Sequence, residues 1–457
     1  MINVKFNRGF LTTVLFACLA LSFVLTAGTW AAAEDPEVDE LGEGRKWIPE
    51  ISFPPSDPDQ KAGYIFLWDR DIYYRSKHTD IYLSWKRGAE LTIDKSDFYL
   101  RVGMRAYVDF VRYFEDKNDL GGNDAGLRTF MVEMNGRLKS NWLYRISWGG
   151  FASGGRFDGG GAYIDDLYVA YTGFEKVALV GGQQREPFSL EEMTSSLATT
   201  FMERALPNAL VTGTNLGLSF SMYRKWWGLS AGLFAEDLAN SNDLSSQGYG
   251  ITGHVHFNPQ SRKGRVWHVG GSLSLRDISD TEFYFQRRPE SGLTDVRYVD
   301  TGGISHSKSA ARVSGEMAVV EGPFSFQGEY IGAYLDRKSG FGNLMFHGLY
   351  AFASWFPTGE SRRYYPKEGI FGYPEIKGKY GALELAARYS YLDLTDGPIT
   401  GGREHNITFG VNWYLTPKIR LMANYIMVFC DRNADADGTL EGGDEPHIFQ
   451  MRFQFRI

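Results

Sequence analysis

Alternation of apolar and polar residues dominates the chain from Phe98 onward, and it is clearest in the last segment, His447–Ile457. Apolar side chains occupy one side of an extended strand here, at Phe449, Met451, Phe453, Phe455 and Ile457. Glutamine and arginine occupy the other side, at Gln450, Arg452, Gln454 and Arg456. Because side chains alternate across a strand with period two, the segment has one oily and one charged face. A soluble sheet also gives such alternation, but a transmembrane barrel leaves no unpaired edge in lipid, so we expect this strand to close on the first one.

Segments with the same two-faced pattern recur along the chain. Together with the closing strand, they are Leu100–Phe110, Thr129–Leu138, Trp142–Trp148, Asp166–Thr172, Val177–Arg185, Leu216–Tyr223, Trp227–Glu236, Tyr249–Phe257, Trp267–Arg276, Ala311–Val319, Phe324–Tyr334, Phe346–Phe356, Leu383–Tyr391, Asn406–Leu415 and Ile419–Val428. Each is close to the roughly 9–11 residues that a tilted strand needs to cross a bilayer, and an even number is expected for a bacterial barrel. The sequence therefore predicts an all-β fold, an antiparallel transmembrane β-barrel of about sixteen strands over residues 97–457. A soluble β-solenoid or sandwich is the alternative.

The connections between these segments alternate in length, as expected for short periplasmic turns and longer external loops. Tight turns are predicted at Lys139–Asn141, Thr172–Glu175, Arg224–Lys225, Glu321–Gly322 and Thr416–Lys418. Longer loops are predicted at Phe114–Gly126, Glu186–Gly213, Asp237–Gly248, Asp277–His306 and Cys430–Pro446. The segment Thr358–Tyr380 breaks the alternation, because it is long but falls on the turn side. Tryptophans near strand ends on the apolar face fit a membrane interface, at Trp142, Trp148, Trp227, Trp267 and Trp413.

Residues 1–33 have the features of a cleaved secretory signal. Lys5 and Arg8 precede an apolar run, Phe10–Ala27, and Ala31–Ala33 supply the small residues of a cleavage site. A retained membrane helix is the alternative. Residues 34–96 are predicted to form a periplasmic lead-in, with a small plug or a partner-binding arm as alternatives. We therefore expect the protein in the outer membrane of a bacterial cell, in contact with its lipid and exported through a cleaved signal peptide.

Composition narrows the class of protein. Of the 457 residues, 43% are hydrophobic, which excludes a disordered chain, and the 53 glycines suit many tight turns. The net charge of -7 argues against a nucleic-acid partner. After the signal only Cys430 remains, so no internal disulfide and no cysteine-based metal site is possible.

Arginine is abundant on the predicted inner face of the strands. The positions are Arg101, Arg105, Arg137, Arg145, Arg276, Arg312, Arg388, Arg420, Arg452 and Arg456. Carboxylates on the same strand faces are fewer, and lysine is almost absent. Because guanidinium is permanently charged and presents a planar fork to phosphate or carboxylate, such a lumen should favour anions. The alternative is that these arginines pair with acidic residues on neighbouring strands and hold the wall of the barrel.

A wide barrel needs a constriction to be selective, since sixteen strands leave an aqueous channel. The best candidate is the loop Glu186–Gly213, which has mixed charge and apolar anchors at Phe188, Phe201, Met202 and Leu206. We expect it to fold into the lumen. A purely external flap is the alternative.

The motifs around this loop resemble those of the phosphate-selective porin O and P family. They are GGQQREPFSLEEMTSS (Gly181–Ser196), TFMERALPNAL (Thr200–Leu210), RRPESGLTDVRYVDTGGI (Arg287–Ile304), EGPFSFQGEY (Glu321–Tyr330), ASWFPTGESRRY (Ala353–Tyr364), GALELAARYSYLDL (Gly381–Leu394) and GVNWYLTPKIRLMANY (Gly410–Tyr425). The resemblance extends from about Phe98 to the end. It implies sixteen-stranded outer-membrane barrels, usually trimeric, that pass phosphate-like anions along arginines and lysines, and the long Thr358–Tyr380 segment belongs to the same pattern.

The resemblance assigns four arginines to the constriction, namely Arg105, Arg128, Arg185 and Arg204. Two positions depart from the family pattern: Leu127 stands beside Arg128, where the family has adjacent arginines, and Leu197 follows the TSS run in place of a basic residue. Together with the arginines of the inner strand faces, the candidate anion path is Arg101, Arg105, Arg128, Arg137, Arg185, Arg204, Arg312, Arg388 and Arg420. We expect a passive diffusion channel that prefers phosphate or similar anions and needs no cofactor. A general or differently selective porin is the first alternative, and an outer-membrane enzyme or an adhesive scaffold is the second.

Two further patterns could bind metal. Asn433, Asp435 and Asp437 partly match a calcium loop, although the later glutamate of that motif is misplaced. A solvated acidic loop is the alternative. His254 and His256 lie on one strand face, but the sequence offers no third ligand, so we interpret them as lumen-facing polar residues.

Overall fold

The computed structural model describes residues 74–75, 81–84, 89–93, 98–121, 124–150, 162–238, 248–278 and 282–457. The predicted signal, residues 1–33, lies outside these residues, as does most of the predicted lead-in, residues 34–96. Within the described part, no helix is both long and apolar enough to cross a membrane.

A closed antiparallel barrel occupies this described part of the chain, as predicted. Its sixteen strands are β1 (Phe98–Phe114), β2 (Asp124–Leu138), β3 (Trp142–Gly150), β4 (Ala162–Phe174), β5 (Val177–Arg185), β6 (Thr214–Arg224), β7 (Trp227–Phe234), β8 (Tyr249–Arg262), β9 (Arg265–Asp277), β10 (Ser307–Glu321), β11 (Phe324–Arg337), β12 (Leu344–Trp355), β13 (Ala382–Asp396), β14 (Ile399–Thr416), β15 (Ile419–Cys430) and β16 (His447–Arg456). Each strand pairs with the next one along the chain. Several strands are longer than the alternating segments, because backbone hydrogen bonding between strands continues beyond the part that faces lipid.

The last strand closes the barrel on the first, which confirms the predicted seam. His447 pairs with Phe114, and the register runs to Arg456 opposite Arg105. At the end of the chain, Ile457 exchanges two backbone hydrogen bonds with Met104, of 2.9 and 3.1 Å. Below this point, a short strand at Ala89–Ile93 pairs with the first residues of β1. The edge of β1 is therefore paired with β16 along most of its length and with the short strand at its beginning.

Burial alternates along the strands. In β9 the inner side chains His268, Ser272, Ser274 and Arg276 are buried, while the outer side chains Trp267, Val269, Leu273 and Leu275 are exposed. The tryptophans predicted at the interface also lie outside, with Trp148, Trp267 and Trp413 all exposed. An oily outer surface and a polar inner one are what a bilayer requires of a barrel.

The loop Glu186–Gly213, called the constriction loop from here on, folds into the lumen as predicted and is no external flap. It contains one helical turn, α1 (Leu190–Met193), and a 3-10 turn, Leu206–Leu210. Its apolar anchors Phe188, Phe201 and Leu206 are fully buried.

Two other connections also enter the barrel, and the sequence did not predict this. Residues 278–306, the mouth loop, bury Phe283, Phe285 and Tyr298 against inner residues of the wall. Residues 356–381, the turn insert, contain the long segment that broke the alternation of turns and loops. The insert forms a hairpin of Arg363–Tyr365 with Ile370–Gly372, and its Phe371 packs in one buried cluster with Leu190 of the constriction loop.

Candidate functional site

A cavity of about 210 Å³ lies inside the barrel, between the constriction loop and the wall around β1, β2, β4, β5 and β16. Five arginines line it: Arg105, Arg128, Arg185, Arg204 and Arg452. The lining also includes the carboxylates Asp165, Glu192 and Glu203 and the hydroxyl groups of Tyr107, Thr129, Tyr163, Ser196, Thr199 and Thr214. The structure therefore brings together all four arginines that the family resemblance assigned to the constriction, and adds Arg452.

A β-bulge in β2 turns Arg128 toward this cavity. Thr129 pairs with Tyr107, and Leu127 pairs with Val108, so Arg128 is the extra residue between two ladder positions. A bulge shifts the alternation of side chains by one position, which is why Arg128 and Thr129 both line the cavity. Leu127 lies opposite the outward residue Val108 and outside the lining.

Arg105 and Arg128 each have a carboxylate partner. Arg105 Nη2 lies 2.9 Å from Glu133 Oε1, and Arg105 Nη1 donates to Ser196 Oγ at 3.2 Å. Arg128 donates to both carboxylate oxygens of Glu203, at 3.0 and 3.1 Å. Two parallel charge-assisted bonds are the strongest geometry available to an arginine. These two guanidinium groups are therefore part of ion pairs and do not face the cavity as bare cations.

Arg185 and Arg204 share a single carboxylate, that of Glu192. Arg185 Nε lies 3.3 Å from Glu192 Oε1, and Arg204 Nε lies 3.2 Å from Glu192 Oε2. Asn208 Nδ2 donates to the same Oε2 at 2.8 Å. Both arginines also donate to the backbone carbonyl of Glu192, at 2.9 and 3.1 Å. The pair is thus fastened to the constriction loop through both backbone and side chain.

Arg452 is the cavity residue that the sequence placed on the inner face without assigning it to the anion path. It donates to both carboxylate oxygens of Asp109 at 2.7 Å, and its Nη2 also lies 2.7 Å from Glu203 Oε1. A further bond of 2.5 Å reaches the carbonyl of Met202. Strand parity alone could have identified this residue, but its partners come from the adjacent strand β1, which is far away in the sequence, and from the constriction loop.

Two carboxylates of the constriction loop, those of Glu203 and Glu192, are held in the ionised form. Burial acts to raise the pKa of Glu203, but Arg128 and Arg452 outweigh it and bring that pKa below its ordinary value. Burial opposes ionisation of Glu192 as well, and the two arginines beside it likewise lower its pKa. Because these folded-state pKa values are lowered, the stability that they contribute is present above the ordinary carboxyl pKa and is lost as the pH falls.

Two of the predicted arginines hold the backbone of the constriction loop. Arg420 donates to the carbonyls of Thr199 and Thr200 at 2.8 and 3.2 Å. Arg388 donates to the carbonyl of Glu203 at 3.0 Å, and its other nitrogen lies 2.6 Å from Glu290 of the mouth loop. A loop inside a barrel has no ladder to satisfy its carbonyl groups, so these side chains take that role.

The remaining predicted arginines lie away from the cavity. Arg312 is buried under the mouth loop, with its guanidinium 5.5 and 5.8 Å from the ring centres of Phe283 and Phe285, beside a second cavity of about 160 Å³. Arg101 and Arg137 lie on the inner face of β1 and β2 toward the turn side, outside the cavity lining.

The loops add carboxylates to the lumen that the predicted excess of arginine on the strand faces did not count. Among the buried side chains that the structure describes, carboxylates outnumber arginines. Of these carboxylates, the constriction loop contributes Glu186, Glu191 and Glu192, and the mouth loop contributes Glu290. Loop carboxylates have no alternating pattern, so strand parity could not count them. An arginine excess persists locally, in the lining of the cavity.

Three histidines form a stack on the opposite wall of the lumen. Ring centres lie 5.6 Å apart for His254 and His256 and 5.8 Å apart for His256 and His268. Glu316 Oε1 accepts from His254 Nε2 and His268 Nε2, at 2.6 and 3.0 Å. Among all described residues, no group of three or more His, Cys, Asp or Glu could hold a metal ion. His254 and His256 are buried on the inner face of β8, in agreement with their interpretation as lumen-facing polar residues.

The acidic loop near the end of the chain contains a local turn at Asp435. Asp435 Oδ1 accepts from the backbone N–H of Gly438 at 3.0 Å, which makes a local turn. Among the described residues, neither Asp435 nor Asp437 belongs to a group of three or more His, Cys, Asp or Glu side chains that could hold a metal ion. The calcium interpretation and its alternative, a solvated acidic loop, both stay predictions.

The chain is similar to several known proteins. A family model described as "Phosphate-selective porin O and P" matches residues 100–457. Porin O of Pseudomonas aeruginosa is 29% identical over 401 residues, which span 79% of this chain and 90% of Porin O. Among solved structures, an anion-selective porin from Comamonas acidovorans has 13% identity and a TM-score of 0.51, covering 79% of this chain and 100% of that chain. OmpT of Vibrio cholerae in its trimer form has 10% identity and a TM-score of 0.50, covering 79% and 99%. These two structures share the fold of an outer-membrane barrel.

Proposed function

The chain belongs to the phosphate-selective porin O and P family and is a passive outer-membrane channel rather than an enzyme. On this basis, we propose that its constriction prefers phosphate-like anions. The observation that carries the proposal is the cavity beside the constriction loop, where five arginines face three carboxylates. A local excess of guanidinium favours an anion at the narrow point.

The proposed path uses weak, shared contacts. An anion entering the cavity exchanges part of its hydration shell for guanidinium N–H groups and for hydroxyl donors such as Ser196 and Thr129. Because the guanidinium groups of Arg105 and Arg128 already have carboxylate partners at 2.9 and 3.0 Å, the anion adds to existing ion pairs and leaves readily. Conduction requires this balance between entry and release.

Replacing Arg105 with alanine is expected to lower the anion-to-cation permeability ratio about five-fold. The change removes one positive charge from the lining and leaves the carboxylate of Glu133 in place, and a unit charge at about 4 Å in water contributes about 1 kcal/mol. Reversal potentials of the purified channel in planar bilayers under a salt gradient measure the ratio.

Arg112→Ala is the matched control, because Arg112 lies on the same strand but on the exposed outer side, where its guanidinium stacks 4.9 Å from the ring centre of Phe114. This variant should retain the wild-type ratio. An unchanged ratio in Arg105→Ala, or a cation-selective wild type, would contradict the proposed path.

A less selective porin is the second candidate function, and the ion pairs within the lumen favour it. If every guanidinium is compensated, small ions of both signs pass with little discrimination. Adding inorganic phosphate during chloride conduction separates the two candidates. A concentration-dependent block indicates a phosphate site, and conductance that depends only on ionic strength indicates a general porin.

The proposed assembly is a homotrimer, exported with a signal of residues 1–33 that is cleaved in the mature protein. The family membership and the trimer form of the similar OmpT structure support it. Residues 34–96 are proposed as a periplasmic lead-in of the mature chain. Mass spectrometry of the mature N-terminus and the mass of the detergent-extracted particle test these points, and an intact signal or a monomeric particle would contradict them.

A further inference from the structure

We propose that Glu192 is an internal counter-anion that sets the solute specificity of the constriction. Its carboxylate occupies the guanidinium pair of Arg185 and Arg204, which a permeating oxyanion would otherwise bind. The inference rests on the proposed function and identifies the residue that tunes it. Glu192 would thereby keep the affinity for phosphate low and the passage of small anions fast.

The contacts of this carboxylate are those that a bound oxyanion would make. One oxygen lies 3.3 Å from Arg185 Nε, and the other lies 3.2 Å from Arg204 Nε and 2.8 Å from Asn208 Nδ2. Guanidinium pairs and amide donors are a usual recognition set for phosphate. The site is therefore built for an anion, and the chain supplies that anion itself.

The carboxylate is close to the guanidinium groups but only loosely matched to them. Arg185 Nε is buried and has no hydrogen-bond acceptor in the described part of the protein, although Glu192 Oε1 is within ion-pair distance. An incoming oxyanion has three or more acceptor oxygens and can approach from the cavity, which Arg185, Glu192 and Arg204 all line. It can satisfy donors that a tethered carboxylate leaves unused.

The other two carboxylates of the lining are engaged differently. Glu203 lies between Arg128 and Arg452, at 3.0 and 2.7 Å. Asp165 lies 3.9 Å from the nearest guanidinium nitrogens. Arg204, in contrast, has no carboxylate within 4.0 Å among the described residues other than Glu192. Removal of the Glu192 charge consequently leaves Arg204 with no competing acid.

The two arginines stay in place without that charge, because backbone atoms also hold them. Arg185 Nη1 donates to the carbonyl of Glu192, and Arg204 Nη2 donates to the carbonyls of Glu192 and Thr194. Arg204 Nε donates to the carbonyl of Glu191 as well. A substitution at the side chain of Glu192 leaves these carbonyl acceptors unchanged. The vacated position then presents two oriented guanidinium groups to the cavity.

The test is the block of chloride conductance by inorganic phosphate in planar bilayers, at constant ionic strength. In Glu192→Gln, the phosphate concentration that halves the conductance is expected to fall at least ten-fold relative to wild type. Glu192→Ala serves as the second variant, since it also removes the Asn208 acceptor and should show the same direction. Thermal unfolding of both variants in detergent reports whether the barrel is intact.

Two controls bracket the effect. Glu191→Gln changes the neighbouring residue of the same helical turn, whose side chain accepts from the backbone N–H of Ala205 at 3.0 Å and lies outside the lining. Glu321→Gln removes a charge from the exposed end of β10. Both should keep the half-blocking concentration within two-fold of wild type. Combining Glu192→Gln with Arg204→Gln should abolish the gain, because the freed guanidinium is then absent.

The inference fails if folded Glu192→Gln and Glu192→Ala channels are blocked by phosphate no more strongly than wild type, or if Glu191→Gln gives the same gain. It also fails if the gain survives Arg204→Gln. The proposed anion preference is read separately, from the reversal potential of the wild-type channel. An anion-selective wild type with unaltered variants would overturn only the role of Glu192, and a cation-selective wild type would overturn the function itself.

Discussion

Replacing Arg452 with methionine is expected to lower the free energy of unfolding by about 3–5 kcal/mol, because breaking a buried ion pair leaves an uncompensated charge. Arg452 is 3% exposed and Asp109 is 2% exposed, so water does not replace the lost partner. The variant also removes the 2.5 Å bond to the carbonyl of Met202, which anchors the constriction loop to the closing strand. Urea titration of the barrel in detergent, followed by the migration of unheated samples on gels, measures the change.

The matched control for Arg452→Met combines it with Asp109→Asn. Because the second change removes the stranded carboxylate, and because Glu203 retains Arg128, about half or more of the loss should return. Arg265→Gln is the negative control. Its partner Glu321 lies 3.2 Å away, but both side chains are more than half exposed, so the effect should stay below about 1 kcal/mol. Equal stability of Arg452→Met and wild type would show that the pair contributes nothing to the fold.

The barrel could be predicted from the sequence because its signal is local. In β16, every second residue is aromatic or aliphatic, and the same parity holds strand after strand. A one-residue error would place Arg452 in lipid and Phe453 in the lumen, so the register is fixed by the pattern itself. The inward position of the constriction loop followed from its apolar anchors, since an external loop would expose the side chains of Phe188 and Phe201 to water.

The partners inside the lumen could not be predicted in the same way. Glu192 meets Arg185 and Arg204 only after the loop has folded back on β5, and Arg128 reaches Glu203 across a gap of 75 positions in the chain. No periodicity links such residues. The bulge that turns Arg128 inward is also invisible in the pattern, because one extra residue in a strand leaves both flanking segments alternating. Loop carboxylates, for the same reason, were missing from the predicted charge of the lumen.

The in-folded segments share a principle that joins fold and function. A loop that crosses an aqueous lumen needs partners for its backbone, and here arginines of the wall supply donors to its carbonyls while Glu316 and Glu329 accept from its N–H groups. The polar inner face of a barrel wall provides such partners along its whole length. The same kind of side chain that attracts an anion thus holds the constriction rigid, and only residues at the edge of the cavity remain available to a solute.

Replacing Glu316 with leucine is expected to release the constriction loop and raise the single-channel conductance by about two-fold or more. Glu316 accepts from His254, from His268 and from the backbone N–H of Leu190, at 2.6, 3.0 and 2.9 Å. Leucine leaves the two histidine donors without this acceptor, at a cost of about 1–3 kcal/mol each, and leaves the N–H of Leu190 with Glu329 Oε1, at 3.0 Å, as its remaining carboxylate acceptor. His268 Nδ1 also forms a hydrogen bond of 2.7 Å with the hydroxyl group of Tyr364 in the turn insert. The loss of the Glu316 acceptor therefore affects a second in-folded segment.

Glu316→Gln and Glu321→Leu complete this experiment. Glutamine keeps one acceptor oxygen and has an NH2 donor group in place of the other oxygen. The conductance of Glu316→Gln should therefore lie between those of the wild type and Glu316→Leu. Glu321 is the exposed last residue of β10, and its replacement should leave conductance and stability unchanged. If Glu316→Leu conducts like the wild type without added current noise, the other contacts of the loop, from wall arginines, Glu329 and the apolar anchors, suffice to hold it. The three stacked histidines would then not help to shape the channel, because Glu316, which connects them to the constriction loop, would have proved dispensable.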